Sequence, residues 1–392
     1  MGLQYTARRL VLCIPMFIII SKSVESIISN HKNQANHSIR SHNWCNKAAR
    51  PAVKQSIRKI SIGEHKNTLY MRLIFLFIFS TAHLLAFAQL PDVKTFKSDS
   101  LLVVEKNPEK GFQHDYLLFI PRRTPLDKKT VLLVEPNNTG QLSDSIDVHK
   151  KQAIYLATVS SVGNNISTEL NIPLLVPVFP RPASQPLMYT HALDRDVMLE
   201  RSPALHRLDL QLLAMIEDAR GRLIAMGIPV DTKIFMNGFS ASATFTNRFS
   251  FMHPDKIKAL AAGGFNGKLM LPQTEINGVK LDYPIGTNDF YAVLGTRFDL
   301  DTYRQIPQFI YMGALDDNDA VQYDDAYSES ERAIINDHIG RQVQDRYLAC
   351  QRIYRENNIN AIFNTFEKVG HWTTSSMNLE VIKFFLKQLK EN

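Results

Sequence analysis

The segment Ile234-Phe235-Met236-Asn237-Gly238-Phe239-Ser240-Ala241-Ser242 decides how the rest of the chain is read. An apolar run enters a Gly-x-Ser-x-Ser turn, and a helical stretch from Ala241 to Met252 leaves it. A strand that turns this sharply into a helix brings backbones close together. The positions two before and two after the serine must therefore be small. Gly238 and Ser242 meet that demand, with Ser242 standing where glycine is usual. Such a turn holds the serine so that its Oγ points clear of the sheet. The helix behind it aims its first amides at the same point. The short pattern arises by chance in many chains, and its place between a strand and a helix gives it weight.

Outward from this turn, short apolar runs recur between longer amphipathic segments. Leu101–Val104, Tyr116–Ile120, Val131–Val134, Ile172–Val178, Lys233–Met236, Ile257–Ala261, Phe309–Met312 and Ala361–Phe366 read as strands. Continuous apolar runs of this length suit strands buried on both faces of a parallel sheet. The spacing of Leu205, Leu208, Leu212, Met215, Ala219 and Leu223 predicts a helix. Ser202 is its expected cap, Pro203 its first residue, and Gly227 with Pro229 its stop. Ser375–Leu389 and the stretch 327–357 supply further helices. Strands alternating with helices imply right-handed crossovers and a mostly parallel central sheet flanked by helices, an α/β fold. The Gly-, Asn-, Asp- and Tyr-rich region 264–305 breaks the rhythm and is expected to decorate the carboxyl edge of the sheet.

A serine nucleophile needs a base. Val369-Gly370-His371-Trp372 lies between the last predicted strand and the last helix, on a loop that can reach Ser240. Of the other histidines beyond residue 88, His191 is the one rival, on a loop at the same edge; His206, His253 and His338 sit at or within helical stretches. The base needs an orienting acid. Gly313-Ala314-Leu315-Asp316-Asp317-Asn318-Asp319 follows a strand end and offers three. Asp316 has the best spacing, with Asp319 and then Asp317 as alternatives. A calcium site is the competing reading of this oxygen-rich loop, but the glycine of an EF-hand loop is absent; no metal and no cofactor are expected. The developing oxyanion needs two backbone N–H donors. Ala241 should give one. The turn Glu135-Pro136-Asn137-Asn138-Thr139-Gly140 should give the other, from Asn138 or Thr139. Phe239, Trp372 and Tyr189 border these motifs as candidate substrate contacts. Arg181 and Arg195 are the cations that could meet a substrate carboxylate.

The order Ser240, Asp316, His371 resembles the α/β-hydrolase superfamily, from Leu101 to Leu389. The chain looks closest to secreted bacterial esterases of the polyhydroxyalkanoate depolymerase-like and feruloyl esterase-like group. Its Pro136-Asn137-Asn138-Thr139 loop lacks the His-Gly dipeptide common there. The resemblance implies a serine hydrolase that cleaves a carboxylic ester through an acyl-enzyme. The partner is then a small-molecule or polymer-derived ester. A serine exopeptidase of the same fold is the second reading, although the propeller domain such enzymes often carry has no room here. A non-catalytic binding protein of the same fold is the third.

The chain has 392 residues, 45% of them hydrophobic, and a formal charge of +7. That composition excludes a disordered, collagen-like or low-complexity chain. The charge is unevenly placed. Residues 1–88 carry 12 Lys/Arg against Glu25 and Glu64, leaving the rest with 33 of the 45 bases and 36 of the 38 acids. The remainder is mildly acidic, which argues against nucleic acid as a partner. Met71-Arg72, the apolar run Leu73–Phe87 and the small residues Ala86 and Ala88 have the parts of a secretory signal peptide. Residues 71–88 are thus expected to be removed on export to the periplasm or beyond. Membrane attachment is expected only if they are not. Residues 1–70 are expected to be a non-native or disordered extension, and 89–392 a single hydrolase domain. Cys13 and Cys45 fall in the excluded part, so Cys350 is alone in the domain and no internal disulfide is possible.

Overall fold

The computed structural model describes residues 95–391, apart from Thr139, Ser160 and Asn266. The expected extension 1–70 and signal segment 71–88 lie outside the described residues.

Eight strands form one sheet in the order β1-β2-β4-β3-β5-β6-β9-β10. They are β1 (Ser100–Val104), β2 (Tyr116–Ile120), β3 (Leu133–Val134), β4 (Leu174–Pro177), β5 (Ile234–Phe239), β6 (Ile257–Gly263), β9 (Gln308–Gly313) and β10 (Ala361–Phe366). β2 runs antiparallel to β1 and β4, and the remaining neighbours are parallel. This is the mostly parallel, doubly covered sheet of the α/β-hydrolase fold. Helices α1 (Ile146–Thr158) and α2 (Val162–Leu170) connect β3 to β4, and α3 (Arg195–Leu199) and α4 (Leu208–Ala225) connect β4 to β5. Helix α5 (Ala241–Met252) follows β5 directly.

Side-chain alternation explains why the inner strands read as apolar runs. In β2, Tyr116, Leu118 and Ile120 join one core layer while Leu117 and Phe119 join the other. Ile234 and Met236 divide from Phe235 in the same way on β5. Each face removes roughly 1.5–3 kcal/mol of apolar exposure per large side chain, so neither face tolerates polar substitution cheaply.

Region 264–305 is more than an edge decoration. It carries the hairpin β7 (Glu275–Ile276) and β8 (Val279–Lys280) and the short helices α6 (Phe290–Leu294) and α7 (Leu300–Gln305), and it forms the crossover from β6 to β9. Phe265, Leu269, Met270, Leu281, Tyr283 and Phe290 from it are buried in the larger core. Helices α8 (Glu329–His338) and α9 (Val343–Glu356) fill the 327–357 stretch, and α10 (Ser375–Lys390) closes the chain.

Helix α4 starts later than its local signals suggest. Ser202 and Pro203 begin only a turn. The chain then breaks at Arg207, whose φ of 47° lies in the left-handed region, and Leu208 opens the helix. One local and one tertiary contact hold that break: the Arg207 guanidinium grips Asp209 at 2.7 and 2.8 Å and reaches the Leu294 carbonyl at 3.1 Å. Among the described residues no helix is long and apolar enough to cross a membrane. Cys350 is a buried free thiol.

Candidate active site

β5 delivers Ser240 to the carboxyl edge in a backbone conformation of φ 63° and ψ −131°. A non-glycine residue there is strained by about 1–3 kcal/mol and persists only where its surroundings hold it. Two neighbours do so. A Cβ on Gly238 would overlap the Ser242 carbonyl and the Ala243 amide, so glycine is required for the strand to fold back on α5. The amide of Ser240 donates to the Gly263 carbonyl on β6 at 3.0 Å.

Ser240 Oγ donates to His371 Nε2 at 2.9 Å. On the far side of the ring, Nδ1 donates to Asp316 Oδ1 and Oδ2, each at 3.0 Å. The His371 ring lies against Phe239, with centroids 5.1 Å apart. Asp316 is buried, and its Oδ1 also accepts the Asn318 amide at 3.1 Å. Gln344 of α9 anchors the Asp316 turn by donating to the carbonyls of Gly313 and Asp316 at 3.1 and 2.9 Å. The loops of Asp316 and His371 are joined through backbone. The amide of Leu315 donates to Val369 at 2.8 Å, and that of Ala314 to Phe366 at 2.9 Å. Gly313 permits this approach, because a Cβ there would overlap the Val369 and Gly370 carbonyls.

The other carboxylates of the loop stand elsewhere. Asp319 caps a short 3₁₀ turn through the Val321 amide at 2.9 Å and pairs with buried Arg346 at 2.5 Å. Asp317 is exposed. His191 is buried, and its Nε2 lies 3.0 Å from the Phe179 carbonyl and 3.2 Å from Asn137 Nδ2, while the ring that meets Ser240 Oγ is that of His371.

Ala241 is the first residue of α5, so its amide has no carbonyl partner one turn back within the helix. Asn138 meets the elbow from the other side, its Nδ2 donating to the Phe239 carbonyl at 3.3 Å. Thr139 lies outside the described residues. Asn137, which the sequence did not single out, is fully buried. Its amide accepts from Phe179 N–H at 3.0 Å and donates to Phe179 O at 2.8 Å. This two-way bond pins the 136–138 segment to the end of β4.

Of the candidate substrate contacts, Trp372 is exposed at the rim, folded over Gly370; Leu315, not among those candidates, is also exposed, beside Asp316. Phe239 is half-buried under His371. Tyr189 is buried, with the Arg181 guanidinium 4.1 Å above its ring. Arg181 also pairs with Asp325 at 2.6 Å, and Arg195 with Asp289 at 2.6 Å, so both cations are engaged within the protein. Among the described residues no three His, Cys, Asp or Glu side chains are grouped to hold a metal ion.

Sheet order, elbow and the hydrogen-bonded Ser–His–Asp line together define a protein of the α/β-hydrolase fold. No protein-family model matches the chain, and no curated protein matches it by sequence. Solved structures share the architecture at low identity. Poly(aspartic acid) hydrolase-1 from Sphingomonas sp. KT-1 is 16% identical, with a TM-score of 0.48 over 74% of this chain and 98% of that one. A poly(3-hydroxybutyrate) depolymerase from Bordetella parapertussis is 16% identical, with a TM-score of 0.45 over 74% and 91%. A ferulic acid esterase is 10% identical, with a TM-score of 0.44 over 76% and 99%.

Proposed function

We propose that the protein is a serine hydrolase that cleaves carboxylic esters through an acyl-enzyme. The observation that carries this reading is the unbroken line from Ser240 Oγ through both ring nitrogens of His371 to Asp316. His371 takes the serine proton as Oγ attacks the carbonyl carbon. Asp316 holds the tautomer in which Nε2 is free to accept, and it stabilises the imidazolium that forms. The amides of Ala241 and of the Asn138 segment receive the oxyanion. His371 then returns its proton to the leaving alcohol and activates water to release the acid. Leu315 and Trp372 give the site an apolar border, which suits an acyl or aryl group. The export expected from residues 71–88 would place this activity in the periplasm or outside the cell.

A fluorophosphonate probe should label Ser240, and Ser240→Ala should take no label. A panel of p-nitrophenyl esters and aminoacyl anilides should show turnover of esters only, abolished in the same variant. Unaffected ester turnover in Ser240→Ala would remove the nucleophile from the reading. Anilide cleavage would make the protein a peptidase, and absence of both label and turnover would leave a binding protein. The mature protein should begin near Gln89 by mass, and a stable product beginning at Met1 would overturn export.

A further inference from the structure

Behind the elbow lies a buried carboxyl that none of the steps above uses. Glu135 follows β3 and opens the segment that leads to Asn138. Its side chain is almost wholly buried. Oε2 accepts the Ser161 hydroxyl at 2.8 Å and the Gly163 amide at 3.0 Å, both at the amino end of α2. Oε1 accepts Asn237 Nδ2 at 3.3 Å, and Asn237 stands on β5 three residues before Ser240. A Cβ on Gly163 would overlap the Glu135 carboxyl, so the first turn of α2 is cut back to admit it. One side chain therefore joins three elements: the exit of β3, the start of α2 and the strand that carries the nucleophile.

A carboxyl is costly at such a place. Burial pushes Glu135 up to about 7 against the pull of its three hydrogen bonds, and a leucine would fill the same space without that cost. What leucine cannot do is fix direction. The next residues, Pro136-Asn137-Asn138, must present an amide toward Ser240 from a turn with no regular structure. Asn137 holds that turn at its far side, against Phe179. Glu135 holds it at the near side.

We propose that Glu135 is a positioning residue for the oxyanion segment, fixing where 136–138 stands relative to Ser240 by tying β3 to Asn237 and to the amino end of α2. The proposal rests on the reading of Ser240 as nucleophile. A misplacement of about 1 Å at a reacting centre is worth on the order of a hundredfold in rate.

The test compares Glu135→Leu with Glu135→Gln on a p-nitrophenyl ester. Leucine should lower kcat by at least tenfold with KM within about twofold of wild type. Glutamine should restore most of kcat, because it can accept from Ser161 and Gly163. Asn237 can turn its Oδ1, which has no partner among the described residues, toward the new amide. If Glu135→Leu does not fold, Asn237→Ala cuts the same tie from β5 and must show the same loss of kcat. Wild-type kcat in the folded Leu or Ala variant, with only the melting temperature changed, would overturn the proposal. Crystal structures give a readout that needs no turnover: in the cut variants the Asn138 contact to the Phe239 carbonyl should be lost. If the wild type neither turns over ester nor takes the probe, the reading of Ser240 falls. The place of Asn138 in those crystals then still decides whether Glu135 positions the segment, and an unmoved Asn138 overturns it.

Discussion

The hydroxyl of Ser242 is bonded to both ends of one residue: it accepts from the Phe239 amide at 2.9 Å and donates to the Phe239 carbonyl at 2.8 Å. The side chain two places after Ser240 thus clasps the residue just before it, and the strained conformation of Ser240 lies inside the clasp. Where glycine would only make room for the turn, serine also holds it.

Ser242→Gly should therefore destabilise the protein rather than leave it unchanged. Two lost hydrogen bonds of about 1 kcal/mol each add to a glycine cost in a helix of about 0.5–1 kcal/mol, for a total of about 2–3 kcal/mol. Urea denaturation should show a lower midpoint at unchanged slope, and ester turnover should fall but remain measurable. A variant as stable as the wild type would show that the clasp contributes nothing.

Asp316 and Asp319 should separate cleanly. Asp316→Asn keeps a side chain of the same size but favours the wrong tautomer of His371, and kcat should drop about 10⁴-fold with the fold intact. Asp319→Asn leaves buried Arg346 without its ion partner and should cost roughly 3 kcal/mol of stability. Its turnover per folded molecule should stay within a few fold. The reverse pattern would make Asp319 the acid.

Most of the strands were legible because burial on both faces leaves unbroken apolar runs, as in Tyr116–Ile120 and Phe309–Met312. The meeting of Asp316 and His371 was legible for a related reason: each sits a few residues past a strand, where the sheet's carboxyl edge must be. What could not be read were contacts made across the chain. Asn137 meets Phe179 and His191, residues 42 and 54 positions away, and Glu135 meets Asn237 at a separation of 102. No local pattern marks either. Arg207 shows the same limit from the other side, since Asp209 and the Leu294 carbonyl overrule the helix start that Ser202 and Pro203 announce.

Gly313→Ala should damage the site through its backbone. The added methyl would collide with the Val369 and Gly370 carbonyls, next to His371. Overpacking of this kind costs about 1–3 kcal/mol, and pushing the loop away should separate His371 from Asp316. Thermal melting and kcat should fall together. Gly221→Ala is the control: it sits in α4 with open space around it, and should raise stability by about 1 kcal/mol at unchanged turnover.

The stability of the protein should depend on pH through Glu135 with a definite sign. Burial, outweighing the hydrogen bonds from Ser161, Gly163 and Asn237, raises its carboxyl from 4.5 to about 7 in the folded state. The unfolded chain therefore ionises first as pH rises. Stability is lost between about pH 4.5 and 7, then levels off, with a total of roughly 3 kcal/mol. Glu135→Gln has no charge to bury, so its stability relative to wild type should climb across that window and stay flat above it. Comparing the two proteins at each pH cancels two other titrating groups: Asp194, raised to about 8 by burial, and Lys268, lowered to about 7 by burial. Urea titrations from pH 4 to pH 9 read the difference directly. A constant difference across that range would mean that Glu135 ionises in the folded protein as it does in the unfolded chain.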